Sequence, residues 1–330
     1  MTRERSRRRL PRRDRNAALA ASLTALSLTV SGCVVVHGER VVLPAATRAE
    51  AAAALTAFTD AYNRADKAYD SSLDAPYVTG ALADIDSARL RAGHTNSPSG
   101  NPNHTPLTLT DAKFTIPAKA GWPRWFVADA RGSRGGDARW VLVFTRNGMG
   151  ERWQVAYLTL MAPGTVPEFR KDKDGWAEAV PADTTRLAVR PDELSTSYAA
   201  YLKDGGKTFA DGRDTSRLRA DRRKLAEKPG LVRQYVDEPL THGDYAPLAL
   251  RTADGGALVF FATRHFEKQT AAAGATVPVA NRDVQALIKG EVKQSLTLQS
   301  IANEAVLDPA GTGPVRMLGR IQGLTSAQGE

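Results

Sequence analysis

In the first third of the chain the spacing of apolar residues is helical. Thr47-Arg-Ala-Glu50 has the Ser/Thr-x-x-Glu form in which a hydroxyl and a carboxylate each satisfy an orphan backbone N–H, and an alanine-rich run follows it. Ala53, Phe58, Ala61 and Tyr62, flanked by Leu55, form one apolar stripe, which predicts a helix to about Lys67. A second, shorter helix is predicted over Leu82–Ala92, and the Gly-, Pro-, Asn- and Ser-rich stretch 93–106 reads as a loop. The period then changes to two. Strands are predicted at 107–116, 124–130, 139–146 and 152–161, with Asn147-Gly148 as a hairpin turn between the last two. Trp140, Leu142 and Phe144 are placed on one face, and Trp153, Val155 and Tyr157 on another.

The order then recurs. A Pro-, Asp- and Lys-rich connection, 163–189, is expected to dock through Trp176. A helix is predicted after Pro191 and another over Thr215–Lys228, stopped by Pro229-Gly230. Strands follow at 231–237, 245–252, 257–267, 291–307 and 314–324, with Asp254-Gly255-Gly256 turning between two of them. Asp86-Ser-Ala-Arg-Leu-Arg-Ala92 matches Asp214-Thr-Ser-Arg-Leu-Arg-Ala220 in the second helix of each half. Helices followed by strands predict an α+β fold of two helix-plus-antiparallel-sheet units, 47–162 and 190–325, with a tail at 326–330. The arrangement resembles two NTF2-like cones, each a curved sheet wrapped on a helix around a pocket.

Upstream of these elements the pattern is different. Residues 2–15 are strongly basic, 17–31 carry no charge, and small Ser31 and Gly32 precede Cys33, the one cysteine of 330 residues. This is the n-region, h-region and small-residue site of a signal peptide, 1–32, and 33–46 reads as a tether. The apolar run is shorter than the ~20 residues a spanning helix needs. Val30-Ser31-Gly32-Cys33 resembles the bacterial lipobox, which implies a diacylglyceryl group on the Cys33 sulfur and cleavage just before it. A plain secretory signal would leave a free thiol, which exported proteins avoid. More than one acyl chain gives stable attachment, so the expected address is the outer face of the cytoplasmic membrane, with the membrane itself as partner. Ser6-Arg7-Arg8-Arg9-Leu10 resembles a twin-arginine signal, but Pro11 and Arg12 depart from its pattern. The route stays open between twin-arginine export and general secretion.

Charge changes the picture once the signal is set apart. The chain has Lys+Arg 45 and Asp+Glu 36, net +9. Residues 1–32 hold eight of those cations and two of the acids, which leaves +3 on the remainder. The basic excess therefore gives no support to nucleic-acid binding. With no second cysteine the fold must rest on a packed core, for which roughly 300 residues suffice. The arginine- and alanine-rich usage resembles that of high-GC actinobacterial exported proteins. The signal, the domain order and Gly121-Trp-Pro-Arg-Trp-Phe126 together resemble the uncharacterised lipoproteins of actinobacteria, a likeness that implies no activity.

Candidate chemistry is sparse. His-Glu-x-x-His and Gly-x-Ser-x-Gly are absent, and no cysteine pair offers a zinc site. Gly205-Gly206-Lys207-Thr208 ends a predicted helix rather than opening one, so it reads as a C-terminal cap and not a phosphate loop. No metal or cofactor is expected. His242 and Asp244 would share one side of an extended segment, a spacing suited to general-base work, and His265 lies in a strand. Trp122, Trp125, Trp140 and Trp153 are concentrated enough to line the inside of a curved sheet. Two functions remain open on the sequence. One is a non-catalytic module binding a small molecule, an envelope polymer or a protein; the other is an enzyme using an NTF2-like pocket for acid–base chemistry.

The anchor is directly testable. Cys33→Ser is expected to leave unprocessed precursor and to abolish labelling by a fatty-acid probe. Mass spectrometry that finds the mature N-terminus unmodified, or at any residue other than Cys33, overturns it.

Overall fold

The computed structural model describes residues 42–330, so the signal segment, Cys33 and the tether up to residue 41 lie outside the described residues. Three sheets and five α-helices organise them. The first half runs β1 (Leu43–Pro44), α1 (Arg48–Ala68), α2 (Gly80–Asn96), β2 (Leu109–Thr115), β3 (Pro117–Lys119), β4 (Arg124–Gly132), β5 (Arg139–Arg146) and β6 (Gln154–Met161). The second runs β7 (Ala177–Glu178), α3 (Leu194–Asp204), α4 (Leu218–Ala226), β8 (Glu227–Lys228), β9 (Leu231–Leu240), β10 (Leu248–Arg251), β11 (Ala257–Ala271), α5 (Arg282–Leu287), β12 (Ile288–Lys289), β13 (Ser295–Asp308) and β14 (Arg316–Gly329). The fold is α+β, as expected. The capping box forms at α1: Glu50 N–H donates to the Thr47 hydroxyl at 3.1 Å, and Thr47 N–H to the Glu50 carboxylate at 2.7 Å.

The sheets are antiparallel except for two short parallel pairs, β12 with β14 and β3 with β7. One has the order β2-β4-β5-β6; the larger runs β12-β14-β13-β11-β9-β8, with β10 also on β11, and β1-β3-β7 makes a small third sheet. Alternation along β5 explains the layering. Trp140, Leu142 and Phe144 face α1 and pack with Phe58 and Leu55, whereas Val141 and Val143 face the other way. There they meet Leu258, Phe260 and Ala262 of β11 and Ile301 of β13. The opposite face of β11, Ala257, Val259 and Phe261, packs under Leu194, Tyr198 and Leu202 of α3. The result is four layers, helix, sheet, sheet and helix, with the two sheets back to back.

Several expectations are corrected by this packing. The space between helix and sheet that an NTF2-like cone keeps as a pocket is filled, by Phe58, Phe126 and Phe144 in one half and by Tyr198, Phe209 and Phe261 in the other. Trp153, Val155 and Tyr157 do not share a face. A register shift between Val143 and Phe144 sends Val155 opposite Phe144 and Tyr157 opposite Val143, so Tyr157 turns to the inter-sheet core. The predicted helix over 215–228 opens as a π-helical turn, Arg213–Arg217, and ends at Ala226. Residues 326–329, expected as a tail, complete β14, and the Glu330 backbone bonds to Ser295. Helix α5, capped by Asn281, had no sequence counterpart.

The halves are also locked by side chains. The Thr79 hydroxyl donates to Asp244 at 2.5 Å, Tyr245 donates to Asp84 at 2.5 Å, and Tyr157 donates to the Ala246 carbonyl at 3.1 Å. Gly80, with φ +53°, starts α2 directly against the Asp244 carbonyl. A Cβ there meets both a left-handed backbone penalty of ~1–2 kcal/mol and a clash with main chain. Gly80→Ala is therefore expected to lower stability by about 2–4 kcal/mol, read as a fall in denaturation midpoint. An unchanged midpoint would show that the lock contributes nothing.

Candidate functional site

His265 sits in a buried ionic network built by strand register. On β11 the face that carries Val259 and Phe261 continues with Thr263 and His265, where α3 gives way to α4. Asp237 on β9 is directly opposite His265, and Glu304 on β13 is directly opposite Arg320 on β14. His265 Nδ1 lies 2.6 Å from Asp237, whose two oxygens also accept from Arg222 of α4 at 2.7 and 3.0 Å. Arg320 Nη2 lies 3.0 Å from His265 Nε2. The Thr263 hydroxyl is 2.9 Å from the same Nε2 and donates to Glu304 at 2.7 Å. Burial works against the Asp237 carboxylate, but hydrogen bonds from His265 and Arg222 outweigh it and hold its carboxyl below the ordinary range.

The Asp–His–Thr sequence of contacts has the order of a nucleophile relay, but its end is sealed. Thr263 and Glu304 are wholly buried, and the threonine hydroxyl is committed to Glu304. Only Arg320 reaches a cleft, of about 550 Å³, which it lines with Leu160, Met161, Met317 and the π-helical turn at 213–217. The network straps β9, β11, β13, β14 and α4 together; it does not present a reacting atom.

A second buried cluster joins the helices of the first half. Asp66 of α1 accepts from Arg89 at 2.7 Å and pairs with His104 at 2.8 Å, and Arg89 Nε donates to Asp86 at 2.8 Å. Asp74 lies beside Asp86. Burial and the neighbouring Asp86 carboxyl push the Asp74 carboxyl well above the usual carboxylate range, so Asp74 keeps its proton at neutral pH. Sequence reasoning used Asp86 and Arg89 only as part of a repeated heptapeptide; their i,i+3 spacing was the available signal for an ion pair. The second copy differs: Asp214 pairs with neighbouring Arg213 at 3.0 Å within the π-helical turn.

The other expected site residues are dispersed. His242 and Asp244 do not meet, because a turn at Gly243–Tyr245 replaces the extended segment. His242 contacts Thr241 at 2.7 Å while Asp244 takes the Thr79 hydroxyl. The four tryptophans form no common wall. Trp125 faces the inter-sheet core, and Trp140 faces α1 with its indole N–H donated to the Arg134 carbonyl at 2.9 Å. Trp153 packs edge-on against Phe126 at 4.9 Å, and Trp122 is at the surface. Among the described residues no group of three or more His, Cys, Asp or Glu is placed to hold a metal, and no helix is long and apolar enough to cross a membrane.

A larger concavity runs beside β2, at the edge of its sheet. It measures about 1350 Å³ and takes in every residue from Asp111 to Ile116 together with the alternate β4 residues Val127, Asp129 and Arg131, so it wraps from the strand edge onto one face of the sheet. Its far wall is the connection at 163–171 with Trp176, and Phe114, Phe169 and Trp176 supply aromatic surface. Arg139 holds the rim: it donates to Asp129 at 2.6 Å and to the Asp111 carboxylate and carbonyl at 2.9 Å each. That clamp fixes the irregularity between Thr110 and Lys113, where Asp111 has φ +49°. Lys113, Arg131 and Lys171 line the groove together with Asp129, Asp137 and Glu168. Sequence reading placed its ligand surface on tryptophans and missed this one, whose walls come from segments 50 residues apart.

A family model for a domain of unknown function (DUF8094) matches residues 42–329. An uncharacterized lipoprotein of Streptomyces coelicolor is 67% identical over 330 residues, covering 100% of both chains. An uncharacterized lipoprotein of Streptomyces avermitilis is 61% identical over 333 residues, again covering 100% of each. A second uncharacterized lipoprotein of S. coelicolor is 28% identical over 234 residues, or 67% of this chain and 64% of that one. No solved structure matches.

The Asp74–Asp86 pair sets a sign for pH dependence. The Asp74 carboxyl titrates higher folded than unfolded, so its stabilising contribution is complete below the unfolded range and is lost as pH rises through its folded value. Asp74→Asn removes that loss and can donate to Asp86. Its melting temperature relative to the parent protein is expected to climb between about pH 4 and about pH 9. A difference that stays flat or falls across that range contradicts a raised Asp74 carboxyl.

Proposed function

The chain belongs to the family of the domain of unknown function DUF8094, and from that premise we propose that it is a lipid-anchored binding module held at the outer face of the cytoplasmic membrane through Cys33. The names of its relatives as lipoproteins, the lipobox-like Val30–Cys33 and the basic and apolar segments before it support the anchor. The order of two helices followed by a mainly antiparallel sheet, four-stranded in the first half and seven-stranded in the second, supports two related α+β units, 47–162 and 190–325, joined across the inter-sheet core.

The ligand of this module is an extended polypeptide segment lying in the β2-edge groove. One observation carries this reading: a groove of about 1350 Å³ that tracks six consecutive residues, Asp111 to Ile116, along and just past an edge strand. Small-molecule pockets run to about 1,000 Å³, whereas six residues of strand span about 20 Å, the length of an extended peptide. Charges of both signs between aromatic faces suit a chain with polar and apolar side chains in alternation. Catalysis has weaker support, because Thr263 and Glu304 of the triad-like network are sealed from solvent.

Selection from a random decapeptide library against the acyl-free protein tests the groove. Selected peptides are expected to bind about tenfold more weakly to Arg131→Glu and to Phe169→Ala, with melting temperatures of the variants close to the parent's. Peptides whose binding ignores both substitutions and is blocked elsewhere on the surface overturn the assignment.

A further inference from the structure

The end of the four-stranded sheet where the chain enters gathers cationic, aromatic and apolar side chains on one surface. Arg124 opens β4 and pairs in register with Arg146 at the end of β5. The Trp122 ring, 38% exposed, has the guanidinium of Arg124 at 5.1 Å and that of Arg146 at 5.4 Å. The β5–β6 turn projects Met149, 91% exposed, and returns through Arg152, which stands over Tyr77 at 5.4 Å. Arg124 Nη1 donates to the Pro44 carbonyl at 3.2 Å, and Leu43 is registered opposite Lys119. Exposed Val42 and Leu43 therefore emerge beside the same arginines. Glu50, 3.9 Å from Arg146, and Glu151 are the carboxylates of this surface, against the cations Lys119, Arg124, Arg146 and Arg152. Burial and the neighbouring Arg124 charge both lower the Lys119 ammonium.

We propose that this end of the sheet docks on the surface of an anionic phospholipid bilayer. The inference rests on the anchor at Cys33, and two observations select a bilayer as the occupant. Eight residues separate Cys33 from Val42, so even a fully extended link reaches no more than about 32 Å. The surface around Val42 is thus kept within that reach of the anchor. The second is chemical complementarity: arginines pair with lipid phosphates, while Trp122, Met149 and Leu43 have the size and exposure to enter the headgroup–acyl boundary.

Flotation of the acyl-free chain from residue 34 tests the surface; among the described residues the buried core lies within 45–327, and the shortened chain keeps it. Vesicles of phosphatidylglycerol with phosphatidylcholine are compared with phosphatidylcholine alone. Binding to the anionic vesicles is expected to be at least tenfold stronger and to fall in high salt. A juxtamembrane cation contributes about fivefold in affinity, so Arg152→Glu, a reversal, should weaken binding at least tenfold. Met149→Asp should weaken it as well, and both positions are exposed enough that the melting temperature serves as a control for folding. Equal flotation on the two vesicle types, or undiminished binding of both variants, overturns the proposal. The anchor is judged separately by the mass of the N-terminal peptide of membrane-extracted protein. An unacylated N-terminus with anionic-vesicle binding intact discards the anchor and keeps the docking surface.

Discussion

Everything else in the molecule is positioned by the contact between the backs of its two large sheets. Trp125, Val141, Val143 and Tyr157 from one sheet close against Leu258, Phe260, Ala262 and Ile301 from the other. Each large apolar side chain fully withdrawn from water there stabilises the fold by about 1.5–3 kcal/mol relative to exposure. Because both faces of each central strand are buried, the helices α1 and α3 must cover the outer faces, and the connections are forced to the rims. The β2-edge groove and the smaller Arg320 cleft both lie at such rims, where strands and connections diverge.

The buried charges follow from the same geometry. Where α3 ends, the face of β11 that carried Phe261 still needs cover, and α4 supplies it with Arg222 as well as Leu218. A buried cation requires a paired carboxylate, and Asp237, His265, Thr263, Glu304 and Arg320 complete the circuit. Removing one partner would strand the others, while the set as a whole specifies which residues face one another across β9, β11, β13 and β14. The helical pair α1–α2 solves its junction similarly, with Asp66, Asp86 and Arg89.

Most of the element order was legible because local signals agreed. Thr47 and Glu50 marked a helix start, period-two alternation marked the strands, and Asn147-Gly148 marked a turn. The back-to-back association was also written in the sequence, though it was not read: Trp140–Phe144 and Ala257–Ala262 are continuous apolar runs, the pattern of strands buried on both faces. A helix-lined pocket leaves one face of such strands without a role. The register shift at Val143 was not legible, since one inserted residue reverses every later side chain without changing composition. The groove escaped for a different reason, as β2 and the 163–171 connection become neighbours only through tertiary folding. The network around His265 was half visible: the histidine was singled out, but its partners on three other strands and α4 carry no sequence mark of proximity.

The lock between α2 and the loop at 242–246 has a consequence for the order in which the molecule can be made. Its contacts join residues 165 and 161 positions apart, and the inter-sheet core joins Val141 to Ile301. A chain delivered N-terminus first therefore shows the back of its first sheet to water until almost the whole polypeptide has followed. Val141, Val143 and Trp125 form an adhesive strip in that interval. Non-local pairing of this kind is slow and prone to misassociation, so the nascent first half calls for a holding factor or for completion of the fold before release.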